Sequence, residues 1–238
     1  MFNFNIDTDP YCVPYLSDSY IDDFCNDLIR RFEPGVITQL HPVNIEQLVQ
    51  KFLGYRLIYE NLTCDGSILG ATMFCNMDCF PVYDAKRRRA KYVSVREGTI
   101  YIERALTDAQ NNNLYRFTLA HEAGHALWHS IYYRTVNKLR KSNQSYLSSG
   151  TLRPREKSIR ILEHQADRTA AALLMPKDAV LKLISPMGAC LSRSDALDRI
   201  IYTSSVFRVS DAAAKRRLTD LGLIDPALCK PVKRARTA

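Results

Sequence analysis

Apolar positions along the chain fall first into helical, then strand-like, then helical stretches. Residues 21–32 read as an amphipathic helix stopped by Pro34-Gly35. Asn44 to Phe52 predicts a second helix, capped by Asn44 and ended at Gly54. Tyr55-Arg56-Leu57-Ile58-Tyr59 then predicts a strand, and 68–74 and 91–95 predict two more. Residues 99–103, Thr-Ile-Tyr-Ile-Glu, alternate most regularly. Arg116 to His129 is apolar on most sides and predicts a buried helix, and the Ala- and Leu-rich run from Ile161 to Met175 predicts another, ended by Pro176. Further helices are expected at 195–202 and from Asp211, the latter capped by Ser210 and ended by Gly222. The order describes an α+β fold in three regions: an N-terminal arm and helix (1–40), a central domain (41–190) and a helical C-terminal segment with a basic tail (191–238).

The chemistry concentrates in His121-Glu122-Ala123-Gly124-His125. On a helix the two histidines, four apart, project from one face a single turn apart, the spacing with which two nitrogens share one Zn²⁺. Glu122 leaves the same turn at another angle, where it can reach a zinc-bound water and act as its base. A third ligand is needed, and Glu163 is the candidate, ahead of His164 and Asp167. His164 is rotated about 100° from Glu163 on an ideal helix and reads as a surface histidine. Asp167, one turn beyond Glu163, suits the role of accepting the outer N–H of a ligating histidine. A third histidine ligand in the H-E-x-x-H-x-x-G-x-x-H manner is excluded by Trp128 and Ile131. His129, one turn past His125, lies beyond the reach of the same ion and reads as packed or solvent-facing.

Arg116-Phe117-Thr118-Leu119-Ala120-His121-Glu122-Ala123-Gly124-His125 resembles the RFTLAHELGH signature of the ImmA/IrrE-type metallopeptidases. The later Glu163-x-x-Ala166-Asp167-x-x-Ala170-Ala171-x-Leu173-Leu174-Met175-Pro176 is similar to that family's second motif. Ala123 replaces the usual Leu, Thr169 stands where Phe is common, and the gap between the motifs is long; none of these removes a ligand or the base. The resemblance implies a zincin-like, gluzincin-type fold with Zn²⁺ as cofactor. It also implies an endopeptidase whose protein substrate is a helix-turn-helix transcriptional repressor of a mobile element or stress response. An oxyanion donor, Tyr or His, is expected; Tyr132 and Tyr133 lie on the connecting segment, but the sequence places neither in the cleft and the role stays unassigned. An edge strand beside the metal helix can pair with an extended substrate, so residues 99–103 are either that edge or an ordinary internal strand.

With 46% hydrophobic residues the chain can bury a core, and no apolar run approaches a membrane span. The N-terminus lacks the basic start and apolar run of a signal peptide, so a cytoplasmic protein with mostly reduced cysteines is expected. Cys64, Cys75 and Cys79 are read either as part of a second metal site or as small residues packed in strands. The net charge of +8 raises the question of nucleic acid. Residues 204–224 resemble the turn and second helix of a helix-turn-helix, with Lys215, Arg216 and Arg217 on or near the surface, or they pack as a C-terminal helix pair. The run Lys86–Arg89 and the tail from Lys230 to Arg236 read as solvated charge. The polar, basic insertion 130–158 is either a lid or exosite over the cleft, or an irregular excursion with some helix at 131–141. Three functions stay in view: a zinc endopeptidase, a zinc-binding regulator that does not cleave, and a DNA-binding regulator acting through residues 204–224.

Overall fold

Ser17 leads the N-terminal arm into the first helix, its hydroxyl accepting the Tyr20 N–H at 3.1 Å. A computed structural model describes residues 6–108, 112–142 and 156–229. In it α1 spans Asp18–Phe32, with Asp18 in the first turn and Arg30 and Arg31 in the last, as the helix dipole favours. The chain leaves this helix at Glu33 and resumes at once as the short α2, Gly35–Thr38. Asn44 caps α3, Ile45–Gln47, by accepting the Gln47 N–H, and the helix widens into a π turn over Leu48–Phe52. Gly54, at φ 77°, then takes the left-handed conformation that lets the chain enter the sheet.

Five strands follow: β1 Arg56–Glu60, β2 Gly70–Met73, β3 Met77–Asp84, β4 Arg89–Val95 and β5 Thr99–Glu103. They form two separate sheets, one in the order β1-β5-β2 and the other the β3-β4 hairpin. β5 runs parallel to β1 and antiparallel to β2. The alternation of residues 99–103 left open an exposed edge; the structure corrects this, since β5 is the middle strand and buried along its length. Ile100 and Ile102 enter the main core, and Tyr101 enters a smaller cluster with Leu62, Met73, Val82 and Val95. Glu103 is buried because its carboxylate accepts the Leu62 N–H at 2.7 Å. The edges of this sheet are β1 and β2.

Six further α-helices follow among the described residues: α4 Asn112–Trp128, α5 Ser130–Ser142, α6 Glu156–Leu174, α7 Lys177–Ile184, α8 Arg193–Phe207 and α9 Asp211–Asp220, with α4 and α6 forming the central pair. The first part of the insertion is thus the helix α5; residues 143–155 lie outside the described residues, as does the basic tail 230–238. α8 starts on a reciprocal capping box between Ser192 and Asp195 and so extends beyond the expected 195–202. Leu119, Ala120 and Ala123 of α4 and Ala170, Leu173 and Leu174 of α6 join Ile21 and Ile29 of α1, Leu218 of α9 and Ile224 in one apolar core.

Ser210 caps α9 as expected, accepting the Ala213 N–H at 3.2 Å, and Gly222 follows at φ 69°. Arg217 departs from expectation: it is 0% exposed, donating to Asp22 of α1 and to the Met175 carbonyl at the end of α6. Arg168 of α6 bonds Asp220 and lies 3.5 Å from Asp22. The second helix of the helix-turn-helix-like pair therefore spends a cation in packing on α1 and α6. The run Lys86–Arg89 forms the β3-β4 turn, where Asp84 accepts the Lys86 and Arg87 N–H groups. No described helix is long and apolar enough to cross a membrane.

Candidate metal centre and cleft

The site begins with the close approach of α4 and α6. Gly124 faces Ala166 and Thr169, and a Cβ on Gly124 would lie 3.0 Å from the Ala166 Cα. With no side chain at this crossing, His121 and His125 come within reach of Glu163 on the opposite helix. His121 Nε2 stands 3.0 Å from His125 Nε2 and 3.2 Å from Glu163 Oε2, and His125 Nε2 is 3.6 Å from Glu163 Oε1. Among the described residues these form the group of side chains able to hold a metal ion, its ligand atoms within 4.8 Å of one another. Cys64, Cys75 and Cys79 are not joined in disulfides and lie outside that group.

The donor set suits a cation. Burial works against charge on His121, yet hydrogen bonds to Asp167 and Glu163 outweigh it and push its imidazole up to about 10. The same histidines hold the Glu163 carboxyl well below the usual carboxylate range. The chain alone thus keeps a positive charge, a proton, between these groups. Two imidazoles and a carboxylate are a familiar zinc-type donor set, with room for a further ligand.

Asp167 Oδ1 lies 2.9 Å from His121 Nδ1, where sequence spacing expects it, on the side of the ring facing away from the donor cluster. His164 is exposed, 3.2 Å from Asp18, as a surface histidine should be. His129 is buried, with Nδ1 2.9 Å from His125 Nδ1 and Nε2 3.1 Å from Gln165 Oε1. Burial pushes its imidazole down to about 3, and the neighbouring His125 adds to this.

Glu122 lies 7% exposed, on the wall of a cleft of about 690 Å³ whose other walls are residues 67–72, Phe74, Phe117, Tyr133 and Glu163. Two residues not singled out by sequence hold it. Thr72 donates its hydroxyl to Glu122 Oε2 at 2.7 Å, and a Cβ on Gly70 would stand 2.7 Å from Glu122 Oε1. A glycine inside a strand pattern is the available sign of such a close approach. Both residues belong to β2, so that edge strand and Glu122 share one wall. Of the two tyrosines on the connecting segment, Tyr132 is buried with Val13 and Leu162, whereas Tyr133 lines the cleft. Its ring centroid is 5.9 Å from that of His125, and it stacks on Phe74. Burial raises the Tyr133 hydroxyl far above its ordinary value, and the charge of Glu163 adds to the effect.

Trp128 donates its indole N–H to Thr169 at 2.8 Å, which accounts for a hydroxyl residue at that position of α6. Arg116, which opens the first motif, donates to the carbonyls of Val43, Phe207 and Arg208 and so ties α4 to the end of α8.

Residues 79–219 match the peptidase family model described as the IrrE N-terminal-like domain, Peptidase_M78. No curated protein matches the chain.

Proposed function

Because the chain belongs to the IrrE N-terminal-like peptidase family, we propose that it is a zinc-dependent endopeptidase with a zincin-like, gluzincin-type site. His121 and His125 through Nε2 and Glu163 through its carboxylate are the groups that would hold the ion. When bound, zinc supplies acidification of water and polarisation of the scissile carbonyl. Glu122 is the general base: its carboxylate takes the proton of the attacking water and delivers it to the leaving amine. Asp167 fixes the His121 ring by accepting the Nδ1 proton. Tyr133, kept protonated by burial, is the hydrogen-bond donor for the oxyanion of the tetrahedral intermediate. Among the described strands β2 pairs with β5 alone and it lines the cleft, so its outer edge is where an extended substrate strand would add. The substrate we propose is a cytoplasmic protein regulator, a helix-turn-helix repressor being the class suggested by the motifs.

The observation that carries this reading is the convergence of three ligand atoms within 4.8 Å beside a cleft that also contains Glu122. It is tested by elemental analysis and a cleavage assay together. Wild type is expected to hold about one zinc per chain and to cut its repressor target. Glu122→Gln should keep the metal and lose cleavage, and Glu163→Ala should lose much of both. Zinc absent from folded wild type overturns the reading; cleavage surviving in Glu122→Gln removes the general base from it.

A further inference from the structure

The two imidazoles of the cluster are anchored in different ways. His121 leans on a carboxylate, Asp167, whose side chain is 60% exposed. His125 leans on a buried row of neutral groups running away from the cleft to the N-terminal arm. Residues 7–15 fold back on themselves, with Asp9 bonding Val13 and Asp7 accepting the Tyr15 N–H. Val13 packs beside Tyr132 and Leu162, which seats the Pro14 carbonyl against α6.

That carbonyl can only accept, and it sets the direction of every bond after it. Gln165 must turn its amide N–H₂ towards Pro14 O, at 2.8 Å, so its Oε1 faces His129. His129 Nε2, 3.1 Å away, must then carry the proton. In the neutral ring this leaves a lone pair on His129 Nδ1, which accepts from His125 Nδ1 at 2.9 Å. With its proton on Nδ1, His125 turns its Nε2 lone pair to the His121 Nε2–H, 3.0 Å away. Reversing any one bond would leave two donors or two acceptors facing each other in a buried place.

We propose that Pro14, Gln165 and His129 form a positioning relay that fixes His125 as the tautomer able to ligate through Nε2, and that the N-terminal arm is thereby a working part of the metal site. This rests on the zinc reading given above. His129 and Gln165 are positioning residues; neither touches substrate or ion.

The test uses the full chain and zinc as the probe. Nitrogen NMR of the metal-free protein is expected to show His125 protonated at Nδ1 and His129 at Nε2. His129→Leu should abolish that preference at His125. In competition with a chromophoric chelator it should weaken zinc by about 10–100-fold. His129→Asn, which puts an amide oxygen near the place of the lost Nδ1, should recover the affinity to within a few-fold. Gln165→Leu leaves both rings in place and reports on the same relay if His129→Leu does not fold. His125 protonated at Nε2 in wild type, or unchanged zinc affinity in folded His129→Leu or Gln165→Leu, overturns the relay. The expected tautomers in a protein that takes up no zinc would uphold the relay and overturn only the zinc reading.

Discussion

Glu122 shows how narrowly a single side chain can be held. A hydroxyl from Thr72 meets one carboxylate oxygen and the bare backbone of Gly70 meets the other. Hydrogen bonds to charged groups are worth about 1.5–3 kcal/mol. Thr72→Val should therefore lower kcat by about tenfold or more with little change in KM, and Thr72→Ser should restore most of it. Equal loss in the valine and serine variants would rule out the hydroxyl as the cause. In its proposed role Tyr133 acts only as charge develops on the substrate. Tyr133→Phe keeps the stack on Phe74 and should cost on the order of a hundredfold in kcat while KM holds. A rise in KM alone would make it a wall of the cleft rather than a donor. Steady-state kinetics on the cleaved target reads both.

At the scale of elements, the crossing of α4 and α6 sets the distance between the histidines and Glu163. Gly124→Ala adds a methyl 3.0 Å from the Ala166 Cα and 3.1 Å from its carbonyl oxygen. Overpacking of this kind costs about 1–3 kcal/mol. Thermal unfolding of the metal-free variant should fall by a few degrees, and its zinc affinity should fall with it; an unchanged Tm would mean that the helices part without cost. These two helices were legible in the sequence because their motifs require the spacing that their packing also requires. The sheet was less so. β3 contains Pro81 and is largely half-exposed, so it lacks both the alternation and the breaker-free run that mark a strand. β5 alternates, yet its polar positions are buried too, because Glu103 finds the Leu62 N–H. Its pattern records two different cores, not a core and water. Thr72 and Gly70 carry no motif, and their roles follow from β2 lying against α4.

Across the whole molecule, α1, α6 and α9 meet in a group of charges in which Asp22, Arg168 and Arg217 are buried and Asp220 lies at the rim. Breaking such a group from one side leaves an uncompensated charge inside. Arg217→Met is expected to cost about 3 kcal/mol or more in chemical denaturation, and adding Asp22→Leu should return part of that. Additive losses in the double variant would show that the two side chains act apart. Sequence spacing located α9 and its cap but put Arg217 near the surface, because a basic triplet gives no sign of which member turns inward to meet a distant aspartate.

That pairing also has a history in time. Asp22 and Arg217 are separated by 195 positions in the chain. A ribosome adding about 5–20 residues each second needs roughly 10–40 s to cover that distance. In the later half of that interval the nascent polypeptide already contains both histidines of the first motif, while the helix that clasps α1 to α6 has yet to be translated. A message cut short before the codon for Arg217 would release a chain with His121, His125 and Glu163 but without the clasp.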